Sequence, residues 1–147
     1  MAAVQVSKDI RMPVVHVFRQ FTDIEHNAGL VSAIKKIQLL TPGAVGLGTR
    51  WRETREVLGR PDDAEMEMTS FETNRIYTIT HHKAGIRIDA TFSFSPIPGG
   101  TRVTVDYEIG SGGVPPGLLA PLGWAVKSEV EQVLQRDLAD LKYKLEH

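Results

Sequence analysis

The stretch "IRIDATFSFSPIPGGTRVTVDYEI", Ile86 to Ile109, alternates in character on both sides of a single turn. In its first half Ile86, Ile88, Ala90, Phe92 and Phe94 fall on one side, with Arg87, Asp89, Thr91 and Ser93 on the other. After "SPIPGG" the pattern resumes with Val103, Val105, Tyr107 and Ile109. Successive side chains of a strand point to opposite faces, so each half presents one apolar and one polar face. The prolines and glycines between them favour a turn. Two such strands make an antiparallel pair with one face on a core and the other in water.

The same reading extends toward the N-terminus. "RIYTITHH" (75–82) is a strand joined to Ile86 through "KAG". "AEMEMTSFE" (64–72) alternates too, with Ala64, Met66 and Met68 opposed to Glu65, Glu67 and Thr69, and "GRPDD" turns the chain before it. "GTRWRETREVLGR" (48–60) reads as a long strand, and "IKKIQLL" (34–40) as a short one ended by the turn-rich "TPGAVGLG". The first strand is "VQVSKDI" (4–10).

Between the first two strands the period changes. Val14, Val17, Phe18 and Phe21 recur at helical spacing, and Pro13 suits a first turn where its missing N–H is not needed. Asp23 is expected to cap a second short helix, "IEHN", ending near Gly29. The chain closes on a long helix with an apolar stripe of Val126, Val130, Val133, Leu134, Leu138 and Leu141. Lys127, Glu131, Gln135 and Asp140 lie largely away from that stripe.

The order is strand, two short helices, six strands, long helix, an α+β chain with a seven-stranded antiparallel meander. No repeat or internal boundary appears, so residues 1–144 are expected to form one domain. The closing "LEH" (145–147) has the look of a cloning-site and tag remnant. A single helix cannot cover the inner face of a strongly curved sheet. The space left between them is the natural place for a ligand.

Composition excludes several kinds of function. The formal net charge of the 147 residues is -1, which offers no sign of nucleic-acid binding or a polybasic membrane surface. There is no cysteine, hence no disulfide, thiolate metal site or cysteine nucleophile. "MAAVQVSKDI" lacks the pattern of a signal peptide, and no apolar run is long enough to span a bilayer. A cytoplasmic protein without stable membrane insertion is expected.

His81 and His82 point to opposite faces of one strand, and His16 and His26 have no ligand spacing, so neither metal nor cofactor is expected. "GAVGLG" leads into a strand rather than a helix, "SGGVPPG" lacks a phosphate-loop lysine, and there is no G-x-S-x-G elbow.

One strand breaks the pattern. In "GTRWRETREVLGR" Arg50, Arg52, Thr54 and Glu56 share one face, yet Trp51, Glu53, Arg55 and Val57 share the other. Charges on a concave face must find partners. Glu53 and Arg55 are therefore a polar anchor for a ligand with an apolar body, a structural ion pair, or the product of a bulge that returns them to solvent.

Around them the inward candidates are Met66 and Met68, whose side chains adapt to irregular space. Tyr77 and His81 share a face of their strand; Phe92 and Tyr107 come from the two strands on either side of "SPIPGG". His81 is suited by its pKa to acid–base work, or is simply a strand-end histidine near solvent. "SGGVPPGLLAPLGW" (111–124) is either a kinked, mobile flap whose Leu118, Leu119, Leu122 and Trp124 border a cavity with Val126, or a stiff connector that starts the helix at Pro121.

"VVHVFRQFTDIE", "AVGLGTRW", "PGGTRVTVDYEI" and "APLGWAVKSEVEQVL", in this order and spacing, resemble the START-like or SRPBCC superfamily, often labelled polyketide cyclase/dehydrase and lipid-transport proteins. The resemblance spans nearly the whole chain. It implies a helix-grip fold, the sheet wrapped around the C-terminal helix with a cavity between them. Its members bind lipids, hormones, quinones and polyketides; some cyclise or hydrolyse, and some act as co-chaperones. They share no single catalytic motif, so no catalytic residue is carried over. Many relatives have tryptophans where this chain reads "HNAGLVSAI".

The expectation is a monomer or homodimer that binds a small hydrophobic molecule such as a lipid, quinone or aromatic polyketide. The alternatives are a metal-free polyketide cyclase, aromatase or dehydratase and a protein-interaction module. The expected ligand-binding residues are Trp51, Glu53, Arg55, Met66, Met68, Tyr77, His81, Phe92, Tyr107, Leu119, Leu122 and Val126.

Overall fold

Seven strands and three helices follow one another in a computed structural model that describes residues 2–57, 59–83, 85–110 and 116–147, with side chains over 4–56, 59–83, 85–110 and 128–147. The order is β1 (Ala2–Ile10), α1 (Val14–Thr22), α2 (Asn27–Leu30), β2 (Ile34–Leu39), β3 (Arg50–Val57), β4 (Arg60–Glu72), β5 (Ile76–Lys83), β6 (Ile86–Ile97), β7 (Gly100–Ile109) and α3 (Pro116–Glu146). The strands form one curved antiparallel sheet ordered β1-β7-β6-β5-β4-β3-β2. β2 through β7 are a simple meander, and β1 returns to pair with β7. The two edge strands are thus joined through α1 and α2.

The alternation read from the sequence fills the concave face. Val4, Val6 and Ile10 of β1 and Val103 and Val105 of β7 are buried. They meet Val17, Phe18 and Phe21 of α1 and Leu134, Leu138 and Leu141 of α3 in one core. Phe18 lies edge-on to Phe71, Tyr77 and Phe94, and Tyr77 stacks on Phe92 with centroids 4.9 Å apart. Such aromatic contacts add to the stabilisation from burial alone.

Several boundaries differ from the sequence reading. Arg60–Asp63 is strand rather than turn: Val57 pairs with Arg60, and Gly59 between them takes a φ of 76°. Ser95–Ile97 likewise remains in β6, since Ile97 pairs with Gly100. In β4 the register shifts between Met68 and Ser70. An extra residue there reverses the alternation, so Phe71 rather than Ser70 packs against the core.

Asp23 does not cap α2. Its N–H bonds Gln20 O to end α1, its carboxylate meets His26 Nδ1 at 2.8 Å, and α2 begins at Asn27 with Gly29 inside it. α3 begins at Pro116, ahead of Pro121, so much of the segment read as flap or connector is helical. The start of that segment, 111–115, lies outside the described residues.

Asp140 is half-buried, away from the apolar stripe. It accepts hydrogen bonds from the N–H and Oγ of Ser32, each 3.0 Å, which ties α3 to the turn before β2. Near the end of α3, Leu145 packs against the core. Glu146 accepts from the Arg11 N–H at 2.8 Å and from Lys142 Nζ at 3.0 Å. Those donors, the Arg11 N–H first, pull its pKa down to about 2.

One glycine is required by close approach. A Cβ on Gly100 would clash with the carbonyl oxygen of Ile10, where β7 passes the end of β1. Backbone cannot yield there as a flexible side chain would. Gly100→Ala is expected to cost about 1–3 kcal/mol, read as a lower urea midpoint at unchanged m-value.

Candidate functional site

Charge on the concave face of β3 is the feature that needs explaining. Trp51 is fully buried and Glu53 only 7% exposed, whereas Arg50, Arg52 and Glu56 lie on the wet side. Arg55 also points inward. Its Nε donates to Glu53 Oε2 at 2.7 Å. Its Nη2 and Nη1 donate to Asp137 Oδ2 and Oδ1, at 2.8 and 3.3 Å. Trp51 Nε1 donates a longer bond, 3.4 Å, to Glu53 Oε1. Sheet and helix are thus joined by a Glu53–Arg55–Asp137 triad with the guanidinium at its centre.

The fork geometry suits arginine, whose planar group can engage two carboxylates at once. All three nitrogens of the group are engaged. With both carboxylates ionised the triad carries one negative charge in excess. Burial opposes the charge on Arg55, but Asp137 and Glu53 outweigh it and hold the guanidinium firmly protonated. Burial pushes the Asp137 carboxyl above its ordinary value; Arg55 restrains the rise, while Glu53 and Asp140 add to it.

The described residues leave two hollows on the concave face, one on each side of this triad. The larger, about 290 Å³, opens between Ala64 and Met66 of β4, His81 of β5, Ala90 of β6, Tyr107 of β7 and Val133 of α3. The smaller, about 80 Å³, lies toward Phe21, Ile24, Asn27, Val31 and Ile34. Trp51, Glu53, Arg55, Phe92, Leu134 and Asp137 border both. Asp62 and Lys83 also line the larger hollow and form an ion pair with each other.

The residues singled out from the sequence separate accordingly. Trp51, Glu53, Arg55 and Phe92 border both hollows; Met66, His81 and Tyr107 line the larger one, and Tyr77 the smaller. Met68 is completely buried and lines neither, because it sits where β4 passes under the core just before its bulge. Leu119, Leu122 and Val126, with Leu118 and Trp124, lie outside the described side chains.

Two residues at this site escaped the sequence reading. Asp137 is three residues after Leu134 and four before Leu141, inside the apolar stripe of α3, and that position was its signal. Asn27 lay in a segment read for its helix and for lacking the tryptophans of many relatives, not for a polar role.

Burial raises the phenol pKa of Tyr77 and of Tyr107, the latter restrained by Arg55. Burial lowers the pKa of His81, with Glu53 opposing. A histidine lowered in the fold contributes stability above its unfolded value of 6.5, and that stability is lost as pH falls through the folded value. An NMR titration of the His81 ring is expected to give a midpoint below 6.5. His81→Leu should flatten that limb of the stability curve, and a midpoint at or above the ordinary value would contradict the assignment.

No cluster of three or more metal-ligating side chains occurs among the described residues. Among them, no helix is long and apolar enough to cross a membrane.

Residues 1–146 match the family model described as polyketide cyclase / dehydrase and lipid transport. Comparison with curated proteins gives no match. Among solved structures, a START superfamily protein from Mycobacterium smegmatis superposes with a TM-score of 0.77 at 17% identity, over 99% of this chain and 98% of that one. The Zhui aromatase/cyclase from Streptomyces sp. R1128 does so at 0.76 and 13%, over 98% and 93%. The protein TTHA0849 from Thermus thermophilus gives 0.77 and 19%, over 97% and 96%. At such identities the likeness establishes the helix-grip fold alone.

Proposed function

The chain belongs to the polyketide cyclase/dehydrase and lipid transport family, and on that footing we propose that it binds a small, mainly apolar, uncharged molecule in the larger hollow. The observation that carries this reading is a mainly apolar pocket floored by a buried triad whose arginine is outnumbered by two carboxylates. At about 290 Å³ the hollow is at the lower end of small-molecule sites, roughly 300–1,000 Å³. That size favours a compact ring system over a long acyl chain.

The triad also constrains the polar end of the ligand. Three of the five Arg55 N–H donors are engaged by two carboxylates, and with both ionised the triad carries an excess negative charge. That excess repels a carboxylate or phosphate and leaves an uncharged polar group tolerated. The test is titration with 2-naphthalenemethanol and 2-naphthoate, followed by fluorescence of the naphthyl group. The alcohol is expected to bind saturably and the acid at least about 10-fold more weakly. Tighter binding of the acid would make Arg55 an anion anchor and overturn this reading.

A second reading is favoured by one observation, the place of His81 in the wall of the larger hollow, where burial lowers its pKa. A histidine whose neutral form is favoured suits proton abstraction and return. In such a reaction His81 takes a proton from a carbon between two carbonyls. That carbon then bonds to a ketone carbon of the same molecule, and the imidazolium returns the proton to the new alkoxide. His81 next takes the carbon's second proton and passes it to the departing hydroxide, which leaves as water. Incubation with a poly-β-ketone thioester, followed by mass spectrometry for loss of water, separates the two readings. Binding without turnover leaves the carrier.

A further inference from the structure

We propose that the smaller hollow is a donor-specific subsite, with Asn27 as the residue that selects a hydroxyl-bearing arm on the ligand. The inference rests on the ligand-binding reading above but concerns a different compartment and a different residue.

Asn27 is 8% exposed and borders the hollow beside Phe21, Ile24 and Val31. Its Nδ2 donates to the carbonyl oxygen of Phe21 at 3.2 Å. That bond fixes the amide orientation, because the flipped form would set oxygen against oxygen. Oδ1 is then left buried, and among the described residues nothing donates to it. A buried acceptor without a partner is costly, about 1–3 kcal/mol, and calls for an explanation.

The surroundings narrow what that partner is. Most of the lining is aliphatic or aromatic; its charged groups are those of the triad, paired with one another. The hollow, about 80 Å³, is smaller than a cavity of about 150 Å³ that admits one benzene. It takes a short arm rather than a ring. The geometry therefore fits a ligand whose ring system fills the larger hollow and whose hydroxyl-bearing arm passes the triad to donate to Asn27 Oδ1.

The experiment compares 2-naphthalenemethanol with 2-ethylnaphthalene, which has nearly the same shape but no donor, on the wild type and on Asn27→Leu. The wild type is expected to prefer the alcohol about 10-fold, and the variant to hold both within about 2-fold through loss of alcohol affinity. A preference that survives Asn27→Leu puts the hydroxyl on the carboxylates and overturns the subsite. In case the variant does not fold, the same question is put to the wild type through the Asn27 side-chain amide carbon. Its resonance should move with the alcohol and stay with the hydrocarbon; the reverse, or no difference, overturns the subsite. Binding of neither probe to the wild type overturns the parent reading as well, a failure distinct from binding without discrimination.

Discussion

Replacing Arg55 by methionine is expected to destabilise the protein by about 3 kcal/mol at neutral pH. The variant removes the one cation of the triad and leaves Glu53 and Asp137 facing each other across a largely buried gap. The cost of an uncompensated buried charge is about 3–5 kcal/mol, and the lower end applies because a quarter of the Arg55 side chain is exposed.

The sign of the pH dependence follows from Asp137. Its carboxyl is already raised by burial, with Arg55 as the main restraint. A carboxyl raised in the fold contributes stability that is full below its unfolded value of 3.8 and is lost as pH rises through the folded value. Without Arg55 that loss deepens. Urea denaturation near pH 4 should therefore bring variant and wild type together, and near pH 7 should separate them. An equal gap at both would mean that the guanidinium serves by packing alone. Asp137→Asn is a different case, since it leaves a one-to-one Glu53–Arg55 pair, and its effect should stay within about 1 kcal/mol.

Ala90→Phe is expected to abolish ligand binding while leaving the fold intact. Ala90 lies between Ile79 and Tyr107 across the sheet, and its side chain borders the larger hollow. A phenyl ring there occupies the space proposed for the ligand ring system. Affinity for 2-naphthalenemethanol should fall by at least about 10-fold, equal to about 1.4 kcal/mol. Because filling a hollow adds contacts without displacing packed atoms, the melting temperature should hold or rise. Thr91→Val, on the wet face of the same strand, where Thr91 bonds Thr78, should leave affinity unchanged. Full binding by Ala90→Phe would move the ligand elsewhere.

Strand order and facing were legible because period-two alternation is a local signal with a global consequence. Ile88, Ala90, Phe92 and Phe94 could face inward together only if the polar set between them faced water. The features that misled were those in which backbone geometry departs from its period. The bulge after Met68 reversed one strand midway, and only pairing with β5 reveals it. Asp23 carries equal chemical fitness for ending one helix and starting the next, and the competing partner, His26, decided between them.

At the site the sequence exposed a conflict rather than a geometry. Glu53 and Arg55 were visibly out of place on an apolar face, but their partner is 82 residues from Arg55 along the chain. Nothing local distinguishes Asp137 from a solvated helix carboxylate except its place in the stripe between Leu134 and Leu141. Asn27 was harder still. Its significance lies in an unfilled acceptor, which depends on what surrounds it and not on its own spacing.

The central claim, that the hollow above the triad is the binding site, is tested most directly by NMR of the protein labelled with 13C at its methionine methyls. Met66 lines the hollow and Met68, two residues on, does not, so each serves as the control for the other. On titration with 2-naphthalenemethanol the Met66 methyl should shift saturably and show nuclear Overhauser contacts to the naphthyl ring, while Met68 shows no contact. Saturable binding with contacts absent from Met66 would contradict the account.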